Sequence, residues 1–285
     1  MKLTRVLGLL GVLAAVLGFS AVQADDRAAS IRIGLTPTFP HDQYRPLEKW
    51  RLYMERKLNR PVEFTRRDRY IETMDLLRLK KLDFAWICDY PYVQFRKQVK
   101  LLAVPVHEGH PYYQSYLIVP ASDKTTKSIL DLKDKVFAYT DPYSNTGYLA
   151  PRFELQLAGR DPARFFHKTF FAWSHRRVLE SVATGLADGG AISSHVWDTL
   201  SNGKPELTRA ARVVTKSADY GFAPFVARAS VGQEDFRAMQ KLLLEMTADE
   251  EGRALLQELN LDGFIVGDAR LYERTERLIK AVGEK

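Results

Sequence analysis

The chain has 285 residues, with 42 Lys and Arg against 35 Asp and Glu and a formal net charge of +7. The charges are interleaved apart from the pairs Arg66-Arg67 and Arg176-Arg177, which excludes the concentrated basic face of a nucleic-acid binder. Cys88 is the single cysteine, so no intramolecular disulfide can form, and the length suffices for one large or two medium domains.

The first 24 residues read as a cleavable export signal: Lys2 and Arg5, an apolar run from Val6 to Phe19, and small residues at Val22-Gln23-Ala24 before Asp25-Asp26. The run is too short and too poorly flanked for a membrane span, and no cysteine follows it to carry a lipid. The expected product is a soluble periplasmic protein. Its 261 residues keep 40 basic against 35 acidic side chains, a net +5 that fits an anionic small ligand.

Ser30–Leu35 (SIRIGL) reads as a first strand, followed by a turn-rich loop in which Phe39 and His41 could reach a ligand. Pro46–Leu58 has helical spacing, Pro61–Thr65 reads as a strand, Tyr70–Leu79 as a helix and Leu82–Ile87 (LDFAWI) as a third strand. This alternation predicts a mostly parallel sheet covered by helices. Leu101–Val106 and Tyr112–Pro120 add strands, the second long enough to pass from one domain into another. After Ile129–Lys133 a second alternation follows: strand Lys135–Thr140, the turn Asp141-Pro142, helix Tyr148–Ala158, strand Thr169–Trp173, helix Val178–Gly185 and strand Asp188–Ser193. Ala223–Ala227 returns to the first domain, where Gln233–Thr247 and Asp249–Leu259 read as amphipathic helices. The expected fold is therefore α/β with two lobes: residues 25–116 plus 226–285 in lobe 1 and 117–225 in lobe 2, joined by two crossings. Two such lobes leave a cleft at the carboxyl ends of their strands, where sheets of this kind bind ligands.

Between the strand and the helix of lobe 2 lies Asp-Pro-Tyr-Ser-Asn-Thr-Gly-Tyr-Leu-Ala-Pro, residues 141–151. Ser144, Asn145, Thr146 and Gly147 fall at the helix start, where unpaired N–H groups and the positive dipole end favour an anion. The same residues also suit an ordinary helix cap. Strand ends deliver Cys88 and His175 to the same region. Cys88 is expected at the lip of the cleft, either packed as a small hydrophobe or offered as a soft ligand. His175 is expected to face the cradle or to hold backbone, and one of Arg176 and Arg177 must face solvent. There is no Gly-x-Ser-x-Gly elbow for a hydrolase, and His107 and His110, spaced across Glu-Gly in a loop, read as surface or hinge residues without a ligand cluster for a metal.

Four segments in order, Leu82-Asp-Phe-Ala-Trp, Ile129-Leu-Asp-Leu-Lys-Asp-Lys, Asp141-Pro-Tyr-Ser-Asn-Thr-Gly-Tyr-Leu and Leu259-Asn-Leu-Asp-Gly-Phe, carry a resemblance over nearly the whole mature chain. The chain resembles the phosphate, phosphite and phosphonate family of periplasmic solute-binding proteins serving ABC importers. The resemblance implies the two-lobed type II periplasmic binding protein fold with a hinge, no catalysis, no cofactor and an ABC permease as partner. It implies anion binding through Ser144, Asn145 and Thr146, with Asn145 departing from the family's Asp-Pro-x-Ser-Thr-Ser-Gly pattern, and with Gly147 in the turn. Tyr70 and His175 fall where relatives place a binding tyrosine and histidine. Ile87 stands where phosphonate binders often have an aromatic residue. Ala223 stands where aminophosphonate binders place an acid, which argues against an aminophosphonate, while Asp219 only a few residues away weakens that argument. Cys88 looks similar to the cysteine of an arsenite-sensing branch, so a sensory protein signalling to a histidine kinase is the alternative to transport.

Overall fold

A computed structural model describes residues 30–37 and 44–283. The expected signal segment and the loop residues Phe39 and His41 lie outside the described residues. The strands are β1 (Ile31–Leu35), β2 (Val62–Arg66), β3 (Phe84–Trp86), β4 (Val99–Val106), β5 (Tyr112–Tyr113), β6 (Ser115–Pro120), β7 (Val136–Tyr139), β8 (Lys168–Phe171), β9 (Gly189–Ser193), β10 (Ala211–Lys216), β11 (Tyr220–Gly221), β12 (Phe225–Arg228) and β13 (Gly263–Val266). They form a six-stranded sheet in the order β13-β4-β12-β3-β1-β2, a five-stranded sheet in the order β10-β6-β9-β7-β8, and a two-stranded ribbon of β5 and β11. The architecture is a mixed α/β fold of two lobes.

Parallel pairing is confined to the strand–helix–strand units, β1 with β2 and β3, and β7 with β8 and β9. The strands that complete each sheet, β4, β12 and β13 in one and β6 and β10 in the other, run antiparallel. The alternating sequence therefore foretells the parallel halves, and the connecting and returning strands supply the rest. The long strand expected over residues 112–120 is broken at Gln114. Its N–H donates to Ser194 Oγ (3.0 Å) and its side-chain amide to the Ser217 carbonyl (3.0 Å), so β5 pairs with β11 while β6 enters the second sheet.

Burial follows the period of two expected for strands covered on both faces. In the second sheet Ile118, Ala138 and Ile192 pack with Val178, Leu179 and Val182 on one side. Their neighbours Leu117, Val119, Phe137, Tyr139 and Ala191 pack with Leu155, Phe165 and Phe166 on the other. Gly190 is required here, because a Cβ would lie 2.5 Å from Val178 Cγ1 and 3.1 Å from the Ala138 carbonyl. Its absence lets helix His175–Ala183 settle close on the sheet. The first sheet is centred on Trp50, Trp86 and Phe225, all fully buried, with Trp86 edge-on to Trp50 at 5.9 Å. Asp83 of the Leu-Asp-Phe-Ala-Trp segment receives Arg32 and Arg228, both at 3.0 Å, and ties β1, β3 and β12 together at one end.

Candidate anion-binding site between the lobes

Four helix starts converge between the lobes. Helix Tyr70–Arg78 and helix Asp89–Gln94 come from the first, and helix His175–Ala183 and the Asn145–Leu149 turn leading into helix Ala150–Leu157 come from the second. The turn is π-helical, one residue wider than an α-turn, and it opens at Ser144, whose Oγ accepts from the Gly147 N–H at 3.0 Å. The expected cradle is thus a helix start, and the expected helix begins three residues earlier than its apolar pattern indicates. Gly147 is fixed by contact, not by backbone conformation: a Cβ would fall 2.0 Å from Thr140 Oγ1, which is where the turn presses on the end of β7.

Asp141 joins the lobes. Its Oδ1 accepts from the Tyr143 N–H at 2.7 Å within the loop, and its Oδ2 accepts from the Tyr70 N–H at 3.2 Å in the opposite lobe. A carboxylate from one lobe therefore satisfies an otherwise unpaired N–H at the start of a helix of the other. Burial raises the Asp141 pKa, opposed by these two backbone donors.

His175 is buried, and its protonation can be read from its partners. The Ser193 N–H donates to Nδ1 at 3.1 Å, so Nδ1 carries no proton and Nε2 carries it. Nε2 lies 3.3 Å from the Tyr70 hydroxyl and Thr140 Oγ1 lies 3.1 Å from Nδ1. Burial, reinforced by nearby His195, pushes the His175 pKa down to about 3, so the ring is a neutral N–H donor at physiological pH. Burial likewise pushes the Tyr70 hydroxyl well above its usual value, helped by the neighbouring Cys88 and Asp141, so it keeps its proton. Tyr70 and His175 thus meet across the lobe boundary.

Thr146 and Asn145 differ from their neighbours. Both are fully buried, and Thr146 Oγ1 and Asn145 Oδ1 have no hydrogen-bond partner among the described residues. Buried polar atoms without partners are uncommon and costly, so two on adjacent residues at converging helix starts single out this turn as the candidate site. Of the two ends of the Asn145 amide, the nitrogen is engaged within the protein. Its Nδ2 donates to Asp89 Oδ2 at 2.7 Å.

Asp89 is the residue that sequence reasoning missed. Fully buried, it also accepts from Tyr113 Oη (2.5 Å) and Cys88 Sγ (3.1 Å) at Oδ1 and from Thr275 Oγ1 (2.6 Å) at Oδ2. Burial raises its pKa and the four donors oppose the rise. The only sequence signal is an acidic residue directly after Cys88, because its donors come from positions 113, 145 and 275. Cys88 itself is 2% exposed, not at an open lip, because the second lobe closes over it. Burial and then the Asp89 charge push its thiol well above the usual value, against the pull of the Asn145 and Tyr90 N–H groups. It is a protonated thiol engaged with a carboxylate.

At the rim Arg69 lays its guanidinium over the Trp173 ring, 4.7 Å from the centroid, and Trp173 holds a left-handed backbone (φ +66°). Such strain in a large side chain is tolerated where surrounding contacts fix it; here its N–H donates to the Thr140 carbonyl at 2.7 Å. Arg176 pairs with Glu180 at 2.8 Å while Arg177 is exposed, so only one of the two neighbours turns to solvent. Ala223 is buried and Asp219 exposed, and neither supplies a carboxylate to the cradle contacts described above.

The family model described as "ABC transporter, phosphonate, periplasmic substrate-binding protein" matches residues 33–272. The chain belongs to this family. Among relatives, the phosphonates-binding periplasmic protein of Escherichia coli is 24% identical over 250 residues, covering 84% of this chain and 73% of that protein. The phosphate-import protein of Mycolicibacterium smegmatis is 26% identical over 238 residues, covering 79% and 71%. A solved structure from Prochlorococcus marinus, in complex with methylphosphonate, superposes with a TM-score of 0.80 at 20% identity, covering 90% of this chain and 99% of that one. Family membership makes the chain a periplasmic substrate-binding protein, and no helix among the described residues is long and apolar enough to cross a membrane.

Proposed function

We propose that this protein captures a small tetrahedral phosphorus oxyanion (a phosphonate, phosphite or phosphate) between its lobes and presents it to an ABC permease in the inner membrane. The observation that carries the ligand reading is Thr146 Oγ1, buried without a partner where helix starts from both lobes converge. Ser144, Thr146, Tyr70 and the Nε2–H of His175 are the donors assigned to the anion, with backbone N–H groups of the 144–147 turn. Neutral donors in a site closed from water bind charge strongly because no water competes for them.

Lobe 1 is assigned to residues 25–116 plus 226–285 and lobe 2 to 117–225, with closure about the two crossings, and residues 1–24 are assigned as the signal removed on export. The protein acts as a binding component and not as a hydrolase: His175 is held neutral and its Nδ1 is occupied by the Ser193 N–H, which leaves no base beside Ser144. Transport is preferred over arsenite sensing because the named relatives are phosphonate- and phosphate-handling proteins and because the Cys88 thiol is engaged with Asp89. Calorimetric titration of the mature protein with phosphate, phosphite and alkylphosphonates tests the reading. Binding of at least one is expected, and silence across the panel at millimolar ligand would sink it.

A further inference from the structure

The orientation of the Asn145 amide follows from the groups gathered around Asp89. Asp89 receives four groups, from Cys88, Tyr113, Asn145 and Thr275, and both of its oxygens act as acceptors in these contacts. The amide must therefore point its nitrogen at Asp89, which leaves Oδ1 at the other end. That oxygen is buried and has no partner among the described residues, beside the equally unpartnered Oγ1 of Thr146. A threonine hydroxyl can donate to an anion. An amide oxygen can only accept, so it repels an ionised oxygen and rewards a ligand that brings a proton.

We propose that Asn145 is a specificity-determining residue that selects an oxyanion still carrying an O–H group, a monoprotonated phosphonate- or phosphite-type anion, over an aprotic anion of the same shape and charge. The inference rests on the oxyanion reading above. His175 Nε2–H, Tyr70, Ser144 and Thr146 supply donors for the ionised oxygens, and Asn145 Oδ1 supplies the acceptor for the protonated one. Asp89 holds that acceptor in place without touching the ligand. A site built to pair with a ligand hydroxyl discriminates strongly against the analogue lacking it, because the site's own polar group is then left unpaired.

Methylphosphonate monoanion and methanesulfonate have the same net charge and nearly the same shape, and differ by that one proton. Their dissociation constants are to be measured by calorimetry on the mature protein, first where the phosphonate is the monoanion and then as pH rises through its second ionisation. The wild type is expected to favour methylphosphonate by roughly tenfold or more at the lower pH. That ratio should shrink as pH rises; methanesulfonate does not titrate, so the ratio cancels the protein's own ionisations. Asn145→Thr, which replaces the acceptor by a group able to donate, should bring the ratio at the lower pH to within about threefold. Equal wild-type affinity for the two anions, a ratio that grows with pH, or an unchanged ratio in Asn145→Thr would each overturn the inference while leaving the oxyanion reading standing. If Asn145→Thr fails to fold, the wild-type pH series alone decides. Binding of neither anion, nor of phosphate or phosphite, overturns the oxyanion reading and this inference with it.

Discussion

At the cradle, His175 is buried among neutral partners and its pKa is driven down to about 3; elsewhere, His107 lies beside Asp198, Nε2 to Oδ2 at 3.3 Å, and its pKa is raised. His195 stands between them, edge-on to His107 at 5.0 Å and lowered to about 4 by burial, with Nε2 3.2 Å from the carbonyls of both Leu259 and Asn260. The lobes thus meet in one region whose charge is constant across physiological pH and another whose charge is not. Both use histidine, and the difference lies in what faces the ring: a backbone N–H and hydroxyls at His175, a carboxylate at His107. A ligand site gains from constancy, since a titrating ring would alter anion affinity whatever the ligand. The same division separates the two buried acids of the site from Asp83. Asp89 and Asp141 are held by neutral donors, whereas Asp83, on the outer side of lobe 1, is held by Arg32 and Arg228.

The sharpest way to break the cradle side of this comparison is Asp89→Ala. It strands donors from Tyr113, Asn145 and Thr275 in a dry site, and the expected loss is about 3 kcal/mol or more of unfolding free energy in urea titration. An unfolding midpoint equal to wild type would show that the cluster does not hold the lobes. Next in size is the pair Thr146→Ala and Ser144→Ala. Each removes a charge-assisted donor worth about 1.5–3 kcal/mol, so affinity for the bound oxyanion should fall roughly tenfold or more in calorimetry. The two should separate on stability. Ser144 also caps its helix through the Gly147 N–H and its loss should cost about 1 kcal/mol, while Thr146→Ala should unfold as wild type does. Unchanged affinity in both would reduce these residues to caps.

The His107 side is tested by pH. The His107 pKa is raised above its ordinary 6.5 on folding, so its contribution is fully present below 6.5 and is lost as pH rises through the raised value. The groups facing it are Asp198, Glu108 and His195. His175 and His195 run the other way: both stay neutral when folded, so stability falls as pH drops from 6.5 toward about 4 and 3. His107→Gln should therefore lose stability relative to wild type at pH 6 and lose less at pH 8, a difference under about 1 kcal/mol for a pair that is partly solvated. Equal losses at the two pH values would show that the ring does not titrate against Asp198.

The helix start at residues 144–147 is legible because local chemistry writes it: hydroxyl, amide and glycine residues directly after an apolar strand specify a helix start, and the parallel halves of both sheets follow from strand and helix periods. The antiparallel halves were less legible, since β4, β6, β10, β12 and β13 are placed by long connections and not by local pattern. Asp89 was illegible for the same reason. Nothing near it in sequence announces a buried acid, and what makes it tolerable arrives from residues 24, 56 and 186 positions away. Asn145 reads as a departure from the family pattern, and which end of its amide is left unpaired is decided by Asp89. His107 read as a hinge or surface residue without a companion, because Asp198 is brought to it from helix Ser194–Gly203 by the closure of the chain.

The smallest effect is expected at Cys88, and it separates packing from ligation. The thiol donates to Asp89 Oδ1 at 3.1 Å, lies 3.6 Å from the Tyr113 hydroxyl and receives the Asn145 and Tyr90 N–H groups. A serine hydroxyl can repeat each of these contacts at slightly shorter range, so Cys88→Ser should keep oxyanion affinity within a few-fold. A thiophilic ligand would behave otherwise, since a hard hydroxyl cannot replace a soft sulfur, and it would have to draw on a thiol whose pKa is pushed up by burial and by the charge of Asp89. Arsenite, neutral at pH 7, gains nothing from the anion-directed N–H groups around it. Calorimetry with phosphonate and with arsenite on both forms decides the matter: a thiol-dependent arsenite signal lost in Cys88→Ser would make the sulfur a ligand, and unchanged oxyanion binding without that signal would leave it as part of the wall that holds Asp89.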